Sequence, residues 1–124
     1  MVFARRTFRF AAFYGVCALA PLYFMEGLAG RLDPPSINHA EYYYGFLGVA
    51  LAWQAAYLLC AQDPVRFRPL MLVCAGAKAT WVLTLSVMLL LHGVSGLVFL
   101  ASVPDGVLAG LFVVSFARTP AGGR

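Results

Sequence analysis

The chain has 124 residues, 62% hydrophobic and 11% charged, with a mean hydropathy of +0.82. A soluble domain of this size needs a polar shell that this composition cannot supply, so its apolar surface is expected to face lipid. The formal net charge of +4 does not indicate nucleic acid, because the basic residues flank apolar runs, where they encode membrane orientation.

Four apolar segments succeed one another along the chain, each near the roughly 20 residues that cross a hydrocarbon core of about 30 Å. They are expected over 8–29, 42–61, 70–91 and 97–117. Lipid-facing backbone must satisfy its own hydrogen bonds, and these runs are too long and uniformly apolar for barrel strands, so all four are predicted helices. Between the first two, Gly30-Arg31-Leu32-Asp33-Pro34-Pro35-Ser36 cannot continue a helix. Asp63-Pro64 opens the next connector, and Pro69 suits the first turn of the third helix. His92-Gly93-Val94-Ser95-Gly96 reads as a tight turn, and Pro120-Ala121-Gly122-Gly123 as a tail after the fourth helix. The fold class expected is all-α, one membrane domain forming an antiparallel bundle of four transmembrane helices.

Orientation follows from the arginines. Arg5 and Arg6 precede the first segment and Arg9 sits at its very start, Arg66 and Arg68 lie in the middle connector, and Arg118 and Arg124 follow the last. Seven basic residues thus fall on one side against Arg31 on the other, which predicts that both termini are cytoplasmic. Near the surface, the arginine groups would attract anionic headgroups at about 1 kcal/mol per residue, without a dedicated ligand. Arg5-Arg6-Thr7-Phe8 has the look of a twin-arginine signal, with Ala18-Leu19-Ala20 as a small-x-small site. Pro21 opposes cleavage there, and the apolar run continues past it, so an uncleaved helix is expected. Cys17, Cys60 and Cys74 form no C-x-x-C pair and read as small buried hydrophobes.

Charge inside a bilayer is expensive and marks candidate sites. Lys78 lies nine residues after Pro69, and Asp105 nine after Gly96, so each is about 13.5 Å from opposite membrane edges at 1.5 Å per residue. On antiparallel neighbours the two reach the same height and are expected to form a buried ion pair. One reading is a lock between two helices; the other is a proton-handling or ligand-binding switch. Steps of three and four put Met71, Cys74, Ala75, Lys78, Trp81, Val82, Leu85, Leu89 and His92 on one face of the third helix. The expected counterpart on the second helix is Tyr43, Leu47, Ala50, Gln54 and Tyr57. Gln54, Trp81 and Tyr57 are therefore candidate pocket-lining residues, with core packing as the simpler reading. Gly106 and Gly110 make a G-x-x-x-G beside Asp105, a common pattern in apolar helices.

At the opposite face from the arginines, Glu26, His39, Glu41 and His92 reach one membrane surface. Two histidines and two carboxylates suit zinc or another divalent ion, or a proton relay. The competing reading makes Glu41 and Asn38 residues of a helix N-terminus and Tyr42, Tyr43 and Tyr44 an interfacial aromatic belt. No H-x-x-x-H spacing, phosphate-binding glycine loop, nucleophile elbow or haem attachment motif is present, so no cofactor and no catalytic residue is assigned.

The run from Asn38 to Gln54 and the run from Asp63 to Met71, with Lys78 and Asp105, resemble a group of small uncharacterised bacterial four-helix membrane proteins, DoxX-like in architecture. The resemblance implies a multi-pass protein of a bacterial inner membrane and supplies no catalytic residues. The function expected is a non-enzymatic accessory subunit or lipophile-binding bundle, with membrane lipids, a larger membrane complex or a second copy as partners. Two alternatives stay open: a membrane redox helper or lipid- or quinone-processing enzyme using the inward polar residues, and a proton-coupled small-molecule carrier.

Overall fold

The computed structural model describes residues 1–122; Gly123 of the tail and Arg124 of the orientation count lie outside the described residues. The elements are α1 (Val2–Leu19), a 3₁₀ segment (Ala20–Phe24), α2 (Glu26–Leu32), α3 (Ala40–Gln62), α4 (Arg68–Leu91) and α5 (Gly96–Arg118). No strand occurs among the described residues. Four stretches are long and apolar enough to cross a membrane: Val2–Phe24, Ala40–Gln62, Arg68–Leu91 and Gly96–Arg118. The chain is a multi-pass helical membrane protein.

The first span differs from the expected 8–29. Helix begins at Val2, so Arg5 and Arg6 lie within α1 rather than ahead of it, exposed with Arg9 on its first turns. Their long stems let the guanidinium groups reach the membrane boundary from inside the helix. The far end breaks earlier than hydropathy suggests. Pro21 has no N–H to return to Cys17, and the backbone tightens into 3₁₀ turns before a separate short helix starts at Glu26. Two tyrosines brace this break. The Tyr43 hydroxyl donates to the Leu22 carbonyl at 2.6 Å, and the Tyr44 ring stacks on Tyr23 at 5.7 Å.

The other helix ends follow their sequence cues. Ser95 caps α5, its hydroxyl accepting from the Val98 N–H at 3.4 Å, and Gly93 takes φ +71° in the turn before it. Pro69 opens α4, where a missing N–H costs nothing. Pro104 lies inside α5, yet the helix runs through it, as membrane helices tolerate when packed against neighbours. Hydroxyls in the apolar helices turn back onto their own backbone. Ser115 donates to Leu111, Ser86 to Val82 and Thr80 to Gly76, each at 2.8 Å.

α1 packs mainly on α3 and α4 mainly on α5, and α1 against α5 closes one side. α3 and α4 touch least among the neighbouring long helices. Both termini lie at one end of the bundle, since the Arg118 guanidinium sits over the Phe3 ring at 4.9 Å. The interior of that end is closely packed, beneath an open surface groove between Phe3, Phe10 and Leu111. Ala4, Phe8, Ala11, Ala12, Cys60, Met71, Cys74 and Phe112 are at most 2% exposed, and the Phe8 and Phe112 rings stack at 4.2 Å. Of the G-x-x-x-G pair, Gly106 faces Val82 at ordinary contact distance, while Gly110 has open space around its Cβ direction.

Candidate functional site

Beyond this packed end the bundle opens. A cavity of about 590 Å³ occupies the half nearest the start of α3 and α5, walled by all four long helices and the 3₁₀ segment. Such a volume lies within the roughly 300–1,000 Å³ of small-molecule sites. Gly15 and Ala18 of α1, Ala50 of α3, Ala77 of α4 and Ala101 of α5 border it, and it follows the gap between α3 and α4, the neighbouring long helices that touch least. Where α3 and α4 stand apart, the Phe46 and Trp81 rings bridge them, stacked at 5.2 Å. Trp53 and Tyr14 add further aromatic wall.

Lys78 and Asp105 form the floor. The Lys78 ammonium donates to Asp105 Oδ1 at 2.6 Å, and both side chains border the cavity with 13% and 24% of their surface exposed. The antiparallel α4–α5 hairpin puts the two at one height, which permits a charge-assisted bond between groups the surrounding lipid could not solvate. Beneath them Tyr57 is buried, its ring centroid 5.4 Å from the ammonium, and it leads into the packed core through Phe8 and Phe112. Lys78 has donors beyond the one it gives Asp105, and the carboxylate has lone pairs beyond those on Oδ1. The floor is neutral overall but rich in both donor and acceptor capacity.

Gln54, expected to line a pocket, does so in an unexpected way. It is 5% exposed, its Nε2 donates to the Ala50 carbonyl at 2.8 Å, and its amide presses into the notch left by Gly15 on α1. A Cβ at position 15 would overlap this amide. Gln54 Oε1 receives no hydrogen bond among the described residues. Of the face predicted for the third span, Met71, Cys74, Ala75 and Leu85 are buried and Lys78, Trp81 and Val82 half-buried, but Leu89 and His92 are exposed. The inward stripe thus stops at Leu85, more than a turn short of the α4 end.

The outer-face cluster does not assemble. His39 meets Glu41 Oε1 at 3.2 Å on the surface, while Glu26 accepts the Tyr44 hydroxyl at 2.8 Å. His92 is exposed at the end of α4. No group of three His, Cys, Asp or Glu side chains able to hold a metal comes together among the described residues. The first span breaks at Pro21. Glu26 then opens α2, where its charge suits a helix N-terminus and pairs with a tyrosine, instead of projecting from a continuous helix.

Arg68 has a role that its place in the sequence does not suggest. Expected as a headgroup contact, it caps α5 instead. Its Nε donates to the carbonyls of Thr119 at 2.8 Å and Phe116 at 3.2 Å, and the guanidinium lies 3.7 Å over the Phe116 ring. The signal is the set of unsatisfied carbonyls that ends every helix, here met by a cation from the neighbouring helix. No family model, curated protein or solved structure matches this chain.

Proposed function

We propose that this protein binds a small lipophilic molecule within the membrane, in the hollow half of a four-helix bundle. The observation that carries the reading is the cavity whose apolar, aromatic walls end on the Lys78–Asp105 pair. A scaffold needs no such space, and a solid core would be more stable by the dispersion and transfer terms that filling it supplies. Polar groups converging at one end of an apolar space give a ligand one orientation. The ligand reaches the site from the bilayer, past the exposed Phe46 and Val49 at its rim.

In this reading the end carrying Arg5, Arg6, Arg9, Arg66, Arg68 and Arg118 faces the cytoplasm of a bacterial cell, and the cavity lies in the outer half of the inner membrane. Binding and handing over the ligand, with a larger membrane complex or a second copy as recipient, requires no catalysis by this chain. Native mass spectrometry of protein released from lipid nanodiscs tests the reading. One neutral lipophile per chain is expected, lost when Ala101→Trp fills the cavity. Protein that emerges empty in repeated preparations, or an adduct indifferent to Ala101→Trp, overturns it.

A further inference from the structure

If the bundle binds a lipophile, as proposed, the floor of its cavity says more about that ligand than the walls do. Lys78 and Asp105 neutralise one another at 2.6 Å. A charged ligand would therefore have to break this bond or enter beside it uncompensated, at high cost in a low-dielectric site. The ligand that costs least is neutral. Its polar end meets an ammonium with unspent donors and a carboxylate with unspent lone pairs, side by side and both open to the cavity.

A ketone, ester or ether could accept from Lys78 but offers nothing to Asp105. A hydroxyl serves both, since its O–H donates to the carboxylate while its oxygen accepts from the ammonium. The walls fit the rest of such a molecule, with Trp53, Trp81, Phe46 and Tyr14 lining an apolar space. We infer that the cavity selects neutral lipophiles bearing a free hydroxyl, alcohols or phenols, and that the Lys78–Asp105 pair recognises the hydroxyl by donating and accepting at once. This selectivity rests on the binding role, and the two can fail separately.

The test is a matched pair of probes, farnesol and its methyl ether, in which O–CH3 replaces O–H, so the acceptor oxygen is kept and the donor is lost. Trp53 and Trp81 are the two tryptophans of the chain and both border the cavity, so their fluorescence reports occupancy. Titrations are made in lipid nanodiscs, with partition into protein-free nanodiscs subtracted. Farnesol is expected to bind about tenfold more tightly than the ether, the equivalent of one hydrogen bond. In the Lys78→Met, Asp105→Leu double variant that preference is expected to vanish while the ether's affinity holds. Equal affinities in the wild-type protein, or tighter binding of the ether, overturn the hydroxyl inference and leave the binding role standing. If neither probe changes the fluorescence saturably, the binding role falls with it. A double variant that fails to fold leaves the wild-type comparison decisive.

Discussion

Lys78 and Asp105 each present a group that a hydrocarbon interior cannot solvate, and each is tolerable because the other lies 2.6 Å away. Lys78→Met leaves the carboxylate uncompensated and is expected to cost about 3 kcal/mol. Adding Asp105→Asn should recover part of that loss, a coupling on the order of 1 kcal/mol or more in a double-mutant cycle of thermal melts. Additive losses would show that the pair contributes nothing beyond its separate groups. Gln54 makes the opposite prediction. Its Oε1 is buried without a donor, and the Nε2 bond goes to a carbonyl already within the helix ladder. Gln54→Met removes an unsatisfied acceptor at similar volume and is expected to leave the melting temperature unchanged or to raise it, by up to about 1 kcal/mol of stability. The pairing of Lys78 with Asp105 is legible in the sequence because depth is arithmetic: equal residue counts from two opposed turns give equal heights. The seat of Gln54 is not, because nothing in a single sequence says which glycine of another helix a side chain will press against.

Among the elements, the second to fourth spans lie within two residues of the ends that hydropathy predicts, because prolines and glycines punctuate them. The first span reads as one helix over 8–29, and here composition misleads. Leu22, Tyr23, Phe24 and Met25 are apolar enough to continue a span, but Pro21 removes the donor that would keep them helical. The Leu22 carbonyl, which ends the 3₁₀ segment by accepting the Met25 N–H at 3.2 Å, also accepts the Tyr43 hydroxyl at 2.6 Å, which ties the break to α3. Tyr43→Phe is expected to cost about 1 kcal/mol and to speed amide exchange in the residues after Pro21; unchanged exchange would show that the break stands without its brace. The end of α5 depends in the same way on Arg68. Arg68→Met keeps most of the stem and removes the charged donor, with an expected loss of about 2 kcal/mol and faster hydrogen exchange at Ser115–Thr119. A loss spread evenly over the bundle would contradict a local cap. That role is hidden in the sequence, where an arginine in a connector is equally well explained by lipid headgroups.

For the whole molecule, the division into a closely packed end and a hollow end is what separates a binding bundle from a structural one. It follows the spacing of the helices: α3 and α4 touch least, and small residues from all four long helices border the gap. The sequence carries those small residues, but which of them look inward depends on helix rotation, and rotation is set by packing against neighbours. The outer-face histidines and carboxylates show the limit of reading by height alone: they share a level but are not brought together in a metal-holding group. The central claim is tested most directly by one matched comparison of thermal stability, Ala50→Leu against Ala11→Leu. Ala11 is 1% exposed within the packed core, where added methylenes should cost about 1–3 kcal/mol. Ala50 borders the cavity, where the same addition fills space and should change stability by no more than about 0.5 kcal/mol, or increase it. Equal losses at the two positions, or a larger loss at Ala50, would mean that the bundle is solid throughout and that no ligand has a place in it.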